Sequence, residues 1–139
     1  MTTKTVKLIV FIALLVHGIG HFQGVAASLG AKINNSNAGV SWLLKSWGEG
    51  TNKTISLILF LITGILGILT ALSFKGILIN ESTWQLMAVI TALCSILCLI
   101  LFPNSFAMFF NKVGAIGVNL FIYYSIVFNG NWPSVIFED

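Results

Sequence analysis

The chain has very little charge. Of its 139 residues 8% are charged and 57% hydrophobic, whereas a water-soluble domain carries roughly 25% charged residues. Arginine is absent. Of the four acids, Glu138 and Asp139 are the last two residues, so the body of the chain has only Glu49 and Glu81. A soluble core of this size needs a charged shell, and these residues cannot build one, so the expected solvent is lipid. The seven lysines are scattered singly. A net charge of +3 without a basic run is no nucleic-acid footprint, and lone lysines at helix ends reach for lipid headgroups. No Gly-rich phosphate loop and no Ser-His-Asp set can be assembled.

Apolar runs stand in place of charge. A membrane-spanning helix takes about 20 mostly apolar residues. Four stretches qualify, about 8–31, 55–74, 84–102 and 113–128. Lys7 and Lys32 bracket the first, Lys53 and Lys75 the second. The third follows Glu81 and stops at Pro103-Asn104, where a helix loses a donor. The fourth, the shortest, extends backwards through Phe106–Phe110 if needed. A β-barrel needs dyad alternation and more strands than this length allows. The expected fold is all-α: one domain, 1–139, forming an integral membrane four-helix bundle, left-handed, single or dimeric. Lys4, Lys7 and the apolar run Leu8–Val16 imitate a signal peptide, with Val25-Ala26-Ala27 as cleavage site. Eleven residues between run and cut are too many, so an uncleaved first span is expected. Four spans put both termini on one side. Lys4, Lys7 and Lys75 there against Lys32, Lys45, Lys53 and Lys112 opposite leave the orientation open under the positive-inside rule.

One long connection joins the first two spans. Val40, Leu43, Leu44 and Trp47 recur at helical spacing, with turn and cap chemistry ahead of them in Asn34-Asn35-Ser36-Asn37. This pattern predicts a short interfacial amphipathic helix over about 38–48, anchored by Trp42 and Trp47, as a headgroup anchor or a lid on the bundle mouth.

Polar residues at membrane depth cost energy to keep there and are functional candidates. His17 and His21 stand at i and i+4 on one face of the first helix, the spacing at which a helix offers two imidazoles to one metal ion. At about 1.5 Å per residue from Lys7, His17 lies near mid-bilayer. Gly20, Gly24 and Ser28 continue a small, polar stripe that suits helix packing, so the pair points inward. Three roles compete: metal or haem ligation, interhelical hydrogen bonding, and contact with a ligand or proton, such as a quinone head group. Both axial ligands of one haem cannot come from i and i+4 of one helix. Cys94 and Cys98, at i and i+4 on the third helix, could complete a tetrahedral set or serve as small hydrophobes. Ser56, Thr63 and Thr70 at seven-residue spacing read as helix-packing chemistry. On the fourth helix Asn119 and Tyr123 are again i, i+4. Asn119 must find a partner inside the bundle, and a first-helix histidine is the natural one. No carboxylate lies within a span, which excludes a carboxylate-bridged di-iron bundle and the usual proton relay.

The run Leu14-Leu15-Val16-His17-Gly18-Ile19-Gly20-His21-Phe22, the Trp42-Leu43-Leu44 stretch and the segment Lys112-Val113-Gly114-Ala115-Ile116-Gly117-Val118-Asn119-Leu120 together resemble small bacterial four-helix membrane proteins of the DoxX-like type, with a His-Gly-x-x-His element in the first span. The resemblance implies the four-helix fold, a bacterial inner membrane and a loose association with quinone- or thiol-linked redox systems. It carries over to His17, His21 and Asn119. There are departures: one extra residue separates Gly114 from Asn119, and Gln23-Gly24 interrupts the first span.

Three functions follow as expectations. The first is a non-catalytic subunit or binding protein of a membrane complex, meeting partners through the Trp-rich loop and the Trp132-Pro133 tail. The second is a metal- or quinone-binding redox component built on His17 and His21, with Cys94 and Cys98 as further metal ligands. The third is a carrier or channel for a small neutral or lipophilic solute, with Asn119 and Tyr123 in its path. The expected partners are the bilayer, a second copy or a larger membrane complex, and no nucleic acid.

Overall fold

The structure is a computed structural model and describes residues 3–32, 39–106 and 109–128. The Asn34–Asn37 turn and the Trp132-Pro133 tail lie outside the described residues. The described residues form five α-helices: α1 Thr3–Gly20, α2 Phe22–Ser28, α3 Glu49–Phe74, α4 Trp84–Leu101 and α5 Phe109–Ile122. Among the described residues there is no strand. Four helical stretches, Thr3–Ser28, Glu49–Phe74, Glu81–Leu101 and Phe109–Phe128, are long and apolar enough to cross a membrane.

The first of these is bent. His21 keeps helical dihedrals (φ −69°, ψ −21°), but its N–H reaches back only three residues, to the Gly18 carbonyl at 3.2 Å. A tightened turn between two glycines, Gly18 and Gly20, is an identifiable cause of a helix bend. α3 starts at Glu49, six residues ahead of the apolar run, because its polar first turns have local partners: Glu49 pairs with Lys53 at 2.6 Å. α4 stops where Pro103 withholds a donor and pushes Phe102 out of the helical region (φ −130°, ψ 55°). α5 starts at Phe109, taking in part of the backward extension, and continues into a six-residue π-helical turn, Tyr123–Phe128.

The helices form a ring in which α1–α2 packs on α3, α3 on α4, α4 on α5, and α5 back on α1. The seam between α5 and α1 is the loosest. The α1–α3 seam is antiparallel and close. A Cβ on Gly18 would lie 2.6 Å from the Ile68 nitrogen, and one on Gly67 2.6 Å from the Gly18 Cα. Phe60 fills the space over Gly24, and Phe22 that over Gly64. Small residues let the two backbones touch, the usual means of helix association in lipid. Hydroxyls add interhelical bonds: Ser28 to Ser56 at 2.8 Å, Thr70 with Thr91 at 3.1 Å, and Thr63 with Cys98 at 3.6 Å. The core forms two clusters, one around Leu14, Phe74, Trp84 and Ala88, the other around Phe60, Cys98, Phe102 and Phe106. The outer surface exposes Ile12, Val16, Leu86, Leu97 and Leu120, as a lipid-facing surface would.

The amphipathic helix expected over 38–48 does not appear in the described part of that range, which holds bends and one 3₁₀ turn, Lys45–Trp47. The physical reason is Asn52. Its side chain, fully buried, accepts from the Ser41 N–H at 3.0 Å and donates to the Leu44 and Gly48 carbonyls at 2.8 and 2.7 Å. The amide thus ties Ser41, Leu44 and Gly48 into one folded loop, while the Leu44 and Gly48 carbonyls also accept from the Trp47 and Asn52 N–H groups at 3.0 and 3.1 Å. Gly39 and Gly48 take positive φ, 80° and 81°, which suits a folded loop. Trp42 leaves its ring exposed but donates Nε1–H to the Ile100 carbonyl at 2.6 Å, satisfying an otherwise orphaned acceptor at the end of α4.

Candidate functional site

His17 and His21 are carried by the bent first span and lie between the two core clusters. His17 is 7% exposed and His21 2%. The rings stand edge to face, centroids 5.0 Å apart. His21 is further enclosed by Phe60 of α3, at 5.8 Å, and Phe106, at 5.9 Å. Nε2 of His17 and both ring nitrogens of His21 have no hydrogen-bond partner. An unmet buried polar group is costly, and three within one cluster call for an explanation.

Beside them runs a cleft of about 1080 Å³ between α1–α2 on one side and α5 with Phe106 on the other. It follows the α1 stripe Ile9, Ile12, Ala13, Val16, His17 and Gly20, the i, i+3, i+4 pattern of a helix face. Phe110, Gly114, Ala115 and Val118 form the far wall. Among the described residues no charged side chain lines it. Its polar content is the His pair and, at one end, Gln23 and Asn111, joined by a 2.7 Å bond from Asn111 Nδ2 to Gln23 Oε1. That bond ties α2 to the start of α5 across the cleft. The sequence signal for this pair is an amide at the edge of an apolar run. Phe60 and Phe106 carry no such signal, since nothing distinguishes them from other core phenylalanines.

The remaining candidates fall elsewhere. Asn119 is 2% exposed and donates from Nδ2 to Ser95 Oγ of α4 at 2.9 Å, so the expected first-helix histidine is not its partner. Its Oδ1 is unmet, and it does not line the cleft. Tyr123 packs beside the Leu14–Trp84 cluster. Cys98 is buried against Thr63, while Cys94 is half-buried. Both belong to α4, which faces α1 across the ring.

A metal centre of the expected kind is not assembled. Among the described residues no group of three or more His, Cys, Asp or Glu converges, whereas zinc takes three or four protein ligands. The two cysteines do not join the two histidines, because diagonal helices of a four-membered ring present their inward faces to neighbours first. The residues present do not fit a tetrahedral metal set. Their chemistry is hydrogen bonding: neutral imidazole offers one donor and one acceptor, here at the wall of an apolar space.

No protein-family model, curated protein or solved structure matches the chain.

Proposed function

We propose that this chain is a non-catalytic, membrane-embedded binding protein of the DoxX-like type, which holds a lipophilic molecule in the α1–α5 cleft through His17 and His21. It works as a homo-oligomer or as a subunit of a larger, redox-linked complex in a bacterial inner membrane. One observation carries the reading. Two buried imidazoles with three unmet ring nitrogens stand at the wall of a large apolar cleft. Concave, mostly apolar sites with a few convergent polar groups are what small lipophilic ligands occupy. Interhelical bonding would leave the nitrogens paired. The resemblance of the first span to DoxX-like proteins points to a quinone head group, whose carbonyls accept from imidazole N–H groups.

The test is the composition of the purified protein. In mild detergent the wild type should retain a stoichiometric organic lipophile, seen by mass spectrometry of the denatured sample, and His17→Ala/His21→Ala should lose it. Equal retention by both proteins would sink the reading. A stoichiometric metal lost with the histidines would replace it with a metal site. Co-purification of a larger membrane partner supports the subunit role, and a lone stable monomer counts against it.

A further inference from the structure

The shape and depth of the cleft specify more than a lipophile. His17 lies about 21 Å along the helix from Thr3 and about 17 Å from Ser28, the middle of a stretch able to cross a bilayer whose apolar core is about 30 Å thick. A ligand that satisfies these imidazoles therefore carries its polar atom at mid-membrane. A phospholipid cannot do so, since its headgroup belongs at the interface.

The cleft is uneven in polarity along its length. Beyond His21 it meets the Gln23–Asn111 bond, which spans from α2 to α5. On the other side of His17 the wall is entirely apolar as far as Ile9, a run of about 12 Å from His17 at the helical rise. Ile9, Ile12, Val16, Phe110 and Gly114 are themselves exposed on the outer surface. The opening is thus towards lipid along its side, and one end is crossed by an amide pair. Finally, among the described residues no charged side chain lines the cleft, so an ionised head would be buried there without a counter-charge.

Resting on the binding function proposed above, we infer that the ligand is a neutral, single-chain lipophile with a small hydroxyl or carbonyl head, its head on His17 and His21 at mid-membrane and its chain along the Ile9–Val16 face, taken up sideways from the bilayer. The hydroxyl or carbonyl oxygen accepts from an imidazole N–H, and a hydroxyl also donates to the unprotonated nitrogen of the other ring.

Four probes of one chain length separate the alternatives in detergent solution by native mass spectrometry: tetradecanol, tetradecane, tetradecanoate and dimyristoyl phosphatidylcholine. The wild type should hold tetradecanol at least about tenfold more tightly than the other three, the order of effect of leaving a buried polar group unmet. His17→Leu/His21→Leu should reduce tetradecanol to the level of tetradecane. Gly114→Trp should block the chain while leaving both histidines in place, because a Cβ at Gly114 meets only open space and the helix accepts it. Helical circular dichroism shows that each variant is folded. If tetradecane equals tetradecanol, or tetradecanoate or the phospholipid exceeds it, with binding still blocked by Gly114→Trp, the ligand class is wrong and the site stands. If no probe responds to either variant, the binding function itself fails.

Discussion

His21 is held under tension between two demands. Its ring fills the space between His17, Phe60 and Phe106, yet neither nitrogen is hydrogen-bonded. Replacing an unmet polar group by an apolar one of similar size is neutral or stabilising. His21→Leu should therefore leave the ligand-free thermal midpoint unchanged or raise it, by the equivalent of about 1–2 kcal/mol, in a detergent melt followed by circular dichroism. A fall in the midpoint would mean that the imidazole is structurally bonded. Asn52 is the opposite case. Asn52→Ala removes three hydrogen bonds from a fully buried amide and should cost about 2–4 kcal/mol, at roughly 1 kcal/mol per bond. Limited proteolysis should then cut the Val40–Gly48 segment faster than in the wild type. Single residues also set what was legible. That His17 and His21 share a face followed from their spacing. That Asn119 pairs with Ser95 and not with a histidine did not, because spacing within one helix carries no information about the facing of two.

At the scale of elements, the α1–α3 contact is the most demanding. Gly18 and Gly67 meet backbone to backbone, and neither neighbour can give way as a flexible side chain would. Gly18→Ala or Gly67→Ala should destabilise by about 1–3 kcal/mol, the cost of overpacking. Gly117→Ala on α5, where the new Cβ meets nothing, should be neutral or stabilising by up to about 1 kcal/mol. Equal losses at all three would show that helix propensity and not packing governs. Hydropathy alone located all four long helices, since lipid imposes the same apolar requirement on each. Their ends were less legible. α3 begins within polar residues because Glu49, Asn52 and Lys53 find local partners, and the bend at His21 arises from glycines that hydropathy counts as mildly apolar. The loop after the first span has the periodicity of a helix without becoming one, because the Asn52 amide gathers Ser41, Leu44 and Gly48 around itself in a folded loop.

For the whole molecule, the seams of the ring are unequal, close at α1–α3 and α3–α4, thinner at α4–α5 and loosest at α1–α5. Local opening is easiest where contacts are fewest, so amide hydrogen exchange in detergent should be faster along α5 than along α3, whose buried face touches both neighbours. Comparable protection in the two helices would contradict the seam described here. The lateral uptake proposed above needs no opening elsewhere. The loose seam also has a consequence for how the protein is made. It joins the first span of the chain to the last, so the cleft has only one wall until synthesis reaches Phe109. Until then nothing from α5 covers the His17 and His21 side of α1. The cleft proposed as a binding site is completed only when α5 joins α1, and a chain arrested after α4 would carry both imidazoles without the wall that faces them.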